Sequence, residues 1–130
     1  MKRRTAREKA LQALFQVNVS QTDPNEAITH ALEDQQQDDF MNMLVFGAIE
    51  HEQELDQLIQ PHLKNWTMDR LANIDKAILR LATYELKYEE EIPSNVTIDE
   101  AVELAKAFGD DHSSKFVNGV LSKIKQELDQ

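Results

Sequence analysis

The sequence contains no cysteine among its 130 residues, and only three glycines and three prolines. The first absence excludes disulfides, thiolate metal sites and cysteine nucleophiles, and it suits a reducing, cytoplasmic compartment. The scarcity of turn formers argues for a helical chain. No apolar run approaches the roughly 20 residues that span a bilayer. The charged start is followed by Ala, Leu and Gln at helical spacing, not by the apolar core of a secretory signal, so no membrane partner is expected. There is no Gly-x-Ser-x-Gly elbow and no glycine-rich phosphate cradle, so neither catalysis, a cofactor nor a small-molecule substrate is expected. Metal chemistry fails on spacing. Helical carboxylate sites place Glu three residues before His, but Ala27, Ala48, Ile59 and Gly109 precede His30, His51, His62 and His112. His51 reads as a half-buried histidine on a packing stripe.

What is present is a strong charge asymmetry. Lys2, Arg3, Arg4, Arg7 and Lys9 face one acid, Glu8, in the first nine positions, whereas the remainder sets nine Lys and Arg against twenty-three Asp and Glu. On charge alone this start is either a solvated terminus or a nucleic-acid contact, because arginine holds phosphate in a bidentate fork and stacks on bases. Four such cations engaged on single-stranded RNA would give a salt slope of roughly −3.

Apolar periodicity gives an all-α chain of six to seven helices. Thr5 and Glu8 have capping-box spacing, opening a helix over about 5–19. Asp23, Pro24 and Glu26 open a second, running to about 35. Apolar residues from Phe40 to Pro61 form one helix, or two with a break near 50–54. Leu71 to Lys87 form another, ending in the solvated run Glu89 to Glu91. Thr97 and Glu100 form a second capping box after an extended Ser94 to Val96, and that helix stops at Gly109 as a left-handed cap. Phe116 to Leu128 lie on the last helix, where Gly119 implies a close helix contact. Trp66 and Tyr84 read as core or core-edge residues, and Asp110 and Asp111 as plain turn residues. The last two helices scan as helix-turn-helix, but the two aspartates in the turn would face DNA phosphate.

Several blocks carry a family pattern: Arg3-Arg4-Thr5-Ala6-Arg7, Ala10 to Phe15, Asp75 to Ala82 with Tyr84-Glu85-Leu86, Pro93 with Val96 to Gly109, and Lys115 to Leu121. In their order and spacing these closely resemble the NusB family of transcription antitermination proteins. The resemblance implies a compact helical domain of two small bundles, residues 1–64 and 65–130, without enzymatic activity. It implies as partners the boxA element of ribosomal RNA leader transcripts, bound as single-stranded RNA, the ribosomal protein NusE and the RNA polymerase antitermination complex. By position, Lys2, Arg3, Arg4, Arg7, Phe15, Lys115, Phe116 and Asn118 would contact RNA, and Asp69 and Asp75 the partner. Phe15 stands where tyrosine is common, and His112 where some relatives carry an acid. The alternative is an acidic protein-interaction or ribosome-assembly adaptor for a basic ribosomal protein, with no direct RNA readout.

Overall fold

The computed structural model describes residues 1–129, and its regular structure is helical throughout. Seven α-helices follow one another: α1 (Arg3–Ser20), α2 (Pro24–Leu32), α3 (Asp39–Glu50), α4 (Glu52–Ile59), α5 (Asn73–Tyr88), α6 (Ser94–Phe108) and α7 (Ser113–Leu128). Short 3-10 turns occupy Gln60–His62 and Met68–Arg70 between α4 and α5.

Helix starts follow local chemistry where a capping side chain is free to turn back. Asp23 accepts from the amides of Asn25 and Glu26 at 3.1 and 3.3 Å, with Pro24 in the first turn. Asp38 accepts from the Met41 amide at 2.8 Å and starts α3. Both expected capping boxes fail. α1 begins at Arg3, with the Ala6 amide bonded to the Lys2 carbonyl, so Thr5 lies inside the helix. α6 begins at Ser94, because Pro93 takes the cap position and its carbonyl accepts from Val96 and Thr97. Thr97 is consequently a buried helical residue, not a cap.

Helix ends also depart from expectation. α2 stops at Leu32, three residues early, since Glu33 adopts φ 58. Gly109 is extended at φ −91, ψ −169, not left-handed. Phe40 to Pro61 form two helices, broken at His51 with φ −106, ψ 17.

One continuous apolar core runs through both halves of the chain. Its axis is α5, whose residues Ala77 to Thr83 are all buried. That helix packs on α1, α3 and α4 from the first half and on α6 and α7 from the second. Two ion pairs, one part-buried and one buried, fix its orientation. Arg80 donates to both carboxylate oxygens of Asp56 on α4, each at 2.9 Å, and approaches Glu52 at 3.1 Å. Glu85 receives Arg7 of α1. A methyl group at Gly47 on α3 would collide with the ring of Tyr84 on α5, so the close helix approach is there. Gly119 is the reverse of what its sequence position suggests: a Cβ would meet no atom within 4 Å.

Candidate nucleic-acid interface

The N-terminal cations divide into two groups. Lys2, Arg3 and Arg4 are exposed on the first turn of α1 or just before it. The Arg3 guanidinium lies 4.2 Å from the centroid of the Phe40 ring, a cation–π contact. Arg4 donates twice to Glu100 of α6, at 3.2 and 2.7 Å. That pair raises the Arg4 pKa and holds the Glu100 carboxyl below the ordinary range.

Arg7 does not belong with them. It is only 6% exposed, it donates to both oxygens of Glu85, which is 3% exposed, and it lies 3.5 Å from Glu100. Its expected place on an RNA face is therefore corrected: the guanidinium is spent inside the protein. Lys9 likewise donates to the Ala31 carbonyl at 2.8 Å.

Phe15 lies eleven residues beyond Arg4, three turns along the same face of α1. It lines an open concavity of about 480 Å³ with Gln12, Ile74 and the exposed Phe108. Phe116 lies elsewhere. The first turn of α5 presents Ile74 to the Phe15 concavity and Asp75 to a second one, of about 280 Å³, which Phe116 lines with Trp66, Arg70 and His112. Phe15 and Phe116 thus flank the start of α5 and share no concavity. Lys115 is exposed beside Phe116 at the start of α7, and Asn118 is exposed one turn on.

The two expected partner-binding acids differ in kind. Asp69 is exposed on the 3-10 turn. Asp75 is 8% exposed, and its Oδ1 has no hydrogen-bond partner. Burial pushes its carboxyl above the ordinary range, the Ser113 hydroxyl opposes this, and the Asp110 charge adds to it. An orphaned acceptor at the wall of an open concavity is suited to a donor from another molecule. Nearby, Asp110 accepts from the His112 amide at 2.9 Å and from the Ser113 hydroxyl at 3.2 Å. Those bonds hold Asp110 below the ordinary range and shape the turn before α7.

Sequence reasoning missed Trp66. It is 53% exposed, neither core nor core edge. The available signal was its setting between Asn65 and Thr67, in a polar connector off the helical stripes. Among the described residues no helix is long and apolar enough to cross a membrane.

These features define a class: a small all-helical domain, acidic overall, with a mixed basic and aromatic margin. The NusB family profile matches residues 4–126. The chain is 62% identical over 130 residues to the transcription antitermination protein NusB of Bacillus pumilus, covering 100% of this chain and 99% of that protein. It superposes on T. maritima NusB with a TM-score of 0.90 at 37% identity, covering 98% of this chain and 92% of that one. It superposes with a TM-score of 0.86 at 30% identity on a structure of antitermination factors NusB and NusE in complex with double-stranded RNA, covering 96% of each chain. The chain belongs to the NusB family.

Proposed function

We propose that this chain is a non-catalytic, cytoplasmic antitermination factor that binds the boxA element of ribosomal RNA leader transcripts together with NusE and joins RNA polymerase to suppress termination. The observation that carries this reading is its match, over 96% of the chain, to a NusB captured with NusE and RNA. The surface supports it. Lys2, Arg3 and Arg4 form one RNA contact; Lys115, Phe116 and Asn118 form another; Phe15 lies between. Asp75, with its unpartnered oxygen, and Asp69 serve the protein partner. The whole chain acts as one RNA-binding domain, its halves 1–64 and 65–130 joined through α5.

A second reading is favoured by one finding. Arg4, Arg7 and Lys9 are already engaged within the protein, and the chain carries a net charge of −10. An acidic adaptor that captures a basic ribosomal protein would need none of them for RNA.

The salt dependence of RNA binding separates the two. With Arg7 removed from the site, Lys2, Arg3 and Lys115 remain as cations without a carboxylate within 4 Å among the described residues. These three contacts contribute about −2 to the slope, less than four would, and each further phosphate contact steepens it by about 0.7. Binding of boxA RNA should be measured with and without NusE across a salt series. The double substitution Arg3→Ala with Arg4→Ala should weaken binding and flatten the slope by about 0.7–1.4. Unchanged affinity and slope would favour the acidic-adaptor reading.

A further inference from the structure

We propose that Trp66, Phe116 and Gly119 form a pocket for one unpaired base of single-stranded RNA, whose flanking phosphates are held by Lys64, Lys115 and Lys123. This rests on the RNA-binding reading above and adds to it a site at the far end of the interface.

The concavity lies between the connector after α4 and the outer face of α7, and measures about 380 Å³. That falls within the range of pockets that take small organic ligands, roughly 300–1,000 Å³. In a chain with 24 acids and 14 Lys and Arg, not one carboxylate of the described residues lines it, while three lysines do. Among the described residues none of the three lysines has an acidic oxygen within 4 Å, as is also true of Lys2, Lys9 and Lys76, whereas Lys87, Lys106 and Lys125 each have one. Unpaired cations around an exposed aromatic are the arrangement by which proteins hold single-stranded nucleic acid, with the ring stacking on a base and the cations tracking the backbone.

Trp66 is presented, not merely left over. Its amide bonds to the Leu63 carbonyl at 2.8 Å, and its carbonyl accepts from the Gln60 side chain at 2.9 Å. The other end of the same Gln60 amide accepts from the Met68 backbone at 3.1 Å. The connector is therefore braced on both sides of an indole that remains half in solvent. Gly119 completes the pocket. It lies one turn after Phe116 on the same face of α7. A glycine inside a helix weakens it relative to alanine, and no neighbour requires this one. Its effect here is an open floor beneath Trp66 and Phe116.

A protein occupant fits less well. A basic ribosomal protein would meet three lysines and no acid, which opposes its approach. RNA is also continuous with the adjoining contact, since Lys115 and Phe116 belong to both.

Trp66 is the only tryptophan in the chain, so the chain's tryptophan emission reports the braced connector and the concavities that this indole lines. The full chain is titrated with fluorescently labelled single-stranded boxA RNA, following label anisotropy and Trp66 emission together, with NusE and without. The expected result is quenching of Trp66 that saturates with the anisotropy change. Trp66→Ala and Gly119→Leu should each weaken binding about 10-fold, the scale of one base–aromatic stack. Gly119→Ala, which adds only a methyl group to open space, should bind nearly as the parent does. Lys64→Gln with Lys123→Gln should flatten the salt slope by about 1.4.

If anisotropy rises while Trp66 emission stays constant and Gly119→Leu binds normally, the pocket is wrong and the RNA-binding reading stands. If no RNA binds with or without NusE, both fall. If NusE alone changes Trp66 emission and RNA adds no further change, the pocket is a protein contact and the proposal is overturned.

Discussion

Replacing Arg7 with alanine should unfold the protein far more readily without acting through RNA. The guanidinium and Glu85 are almost completely buried and bonded in a fork, with Nε to Oε2 at 3.1 Å. Removing the arginine leaves a carboxylate, 3% exposed, facing the apolar contact between α1 and α5. Stranding one partner of a buried pair costs about 3–5 kcal/mol, much more than deleting an exposed pair at 0–1 kcal/mol. Glu100 does not share the loss, because Arg4 still holds it. For a chain of this size each kcal/mol shifts the melting temperature by roughly 3–5 °C, so Arg7→Ala should melt about 10–20 °C lower. The compensating test is Arg7→Met with Glu85→Leu, which removes both charges at similar volume and should recover most of the loss. Circular dichroism at 222 nm against temperature reads both variants. An Arg7→Ala protein melting within 2–3 °C of the parent would refute the assignment of Arg7 as a buried strut. RNA affinity of the double variant, measured on folded protein, should match the parent.

Three further outcomes follow from the same structure. Burial raises the Asp75 pKa, so the folded state holds that proton more tightly than the unfolded chain. The stabilising contribution is full below the unfolded pKa, about 4, and is lost as pH rises through the folded one. Asp75→Asn should therefore raise the melting temperature at pH 7, show no gain below pH 4, and weaken capture of NusE. At Gly47, alanine should destabilise by about 1–3 kcal/mol in urea titration despite its better helix propensity, because Tyr84 occupies the space. Tyr88 donates to Glu54 and its pKa is pushed up to about 12, so alkaline titration at 295 nm should find it ionising above the ordinary value near 10. Glu54→Gln should bring it down.

The sequence carried the helices and hid the fate of particular side chains. Period and spacing sufficed for α5, α7 and the start of α2 because their apolar stripes are continuous, and Asp23 before Pro24 reads as a cap. Thr5 and Thr97 misled for a shared reason: a capping box is a spacing, and the same spacing occurs one turn inside a helix that has already begun. Arg7 and Glu85 are 78 positions apart, so no local pattern could tell a buried pair from a surface cation. The surroundings of the two glycines are set in the same non-local way. What crowds Gly47 is Tyr84 from another helix, and what leaves Gly119 open is the lack of any helix above it.

The distribution of pairing has a consequence for how the proposed RNA surface works. Arginine is divided between scaffold and surface. Arg7 and Arg80 tie α1 and α4 to α5, and Arg3 and Arg4 lie at the margin. In the groove between α1 and α6, Glu8, Glu100 and Glu103 lie beside Arg4, and Asp75 and Asp110 share a concavity with Trp66. On the proposed reading, an RNA strand that contacts both cationic ends approaches these carboxylates, which repel its phosphates at short range. On the same reading a basic partner seated over Phe15 and Asp75 would neutralise these acids. RNA would then be held weakly by either end alone and tightly by both once the partner is in place. The gain from adding NusE should accordingly exceed that of a tethered second site of equal contact area, and should shrink as salt screens the acids over the roughly 8–10 Å Debye length at 0.1–0.15 M.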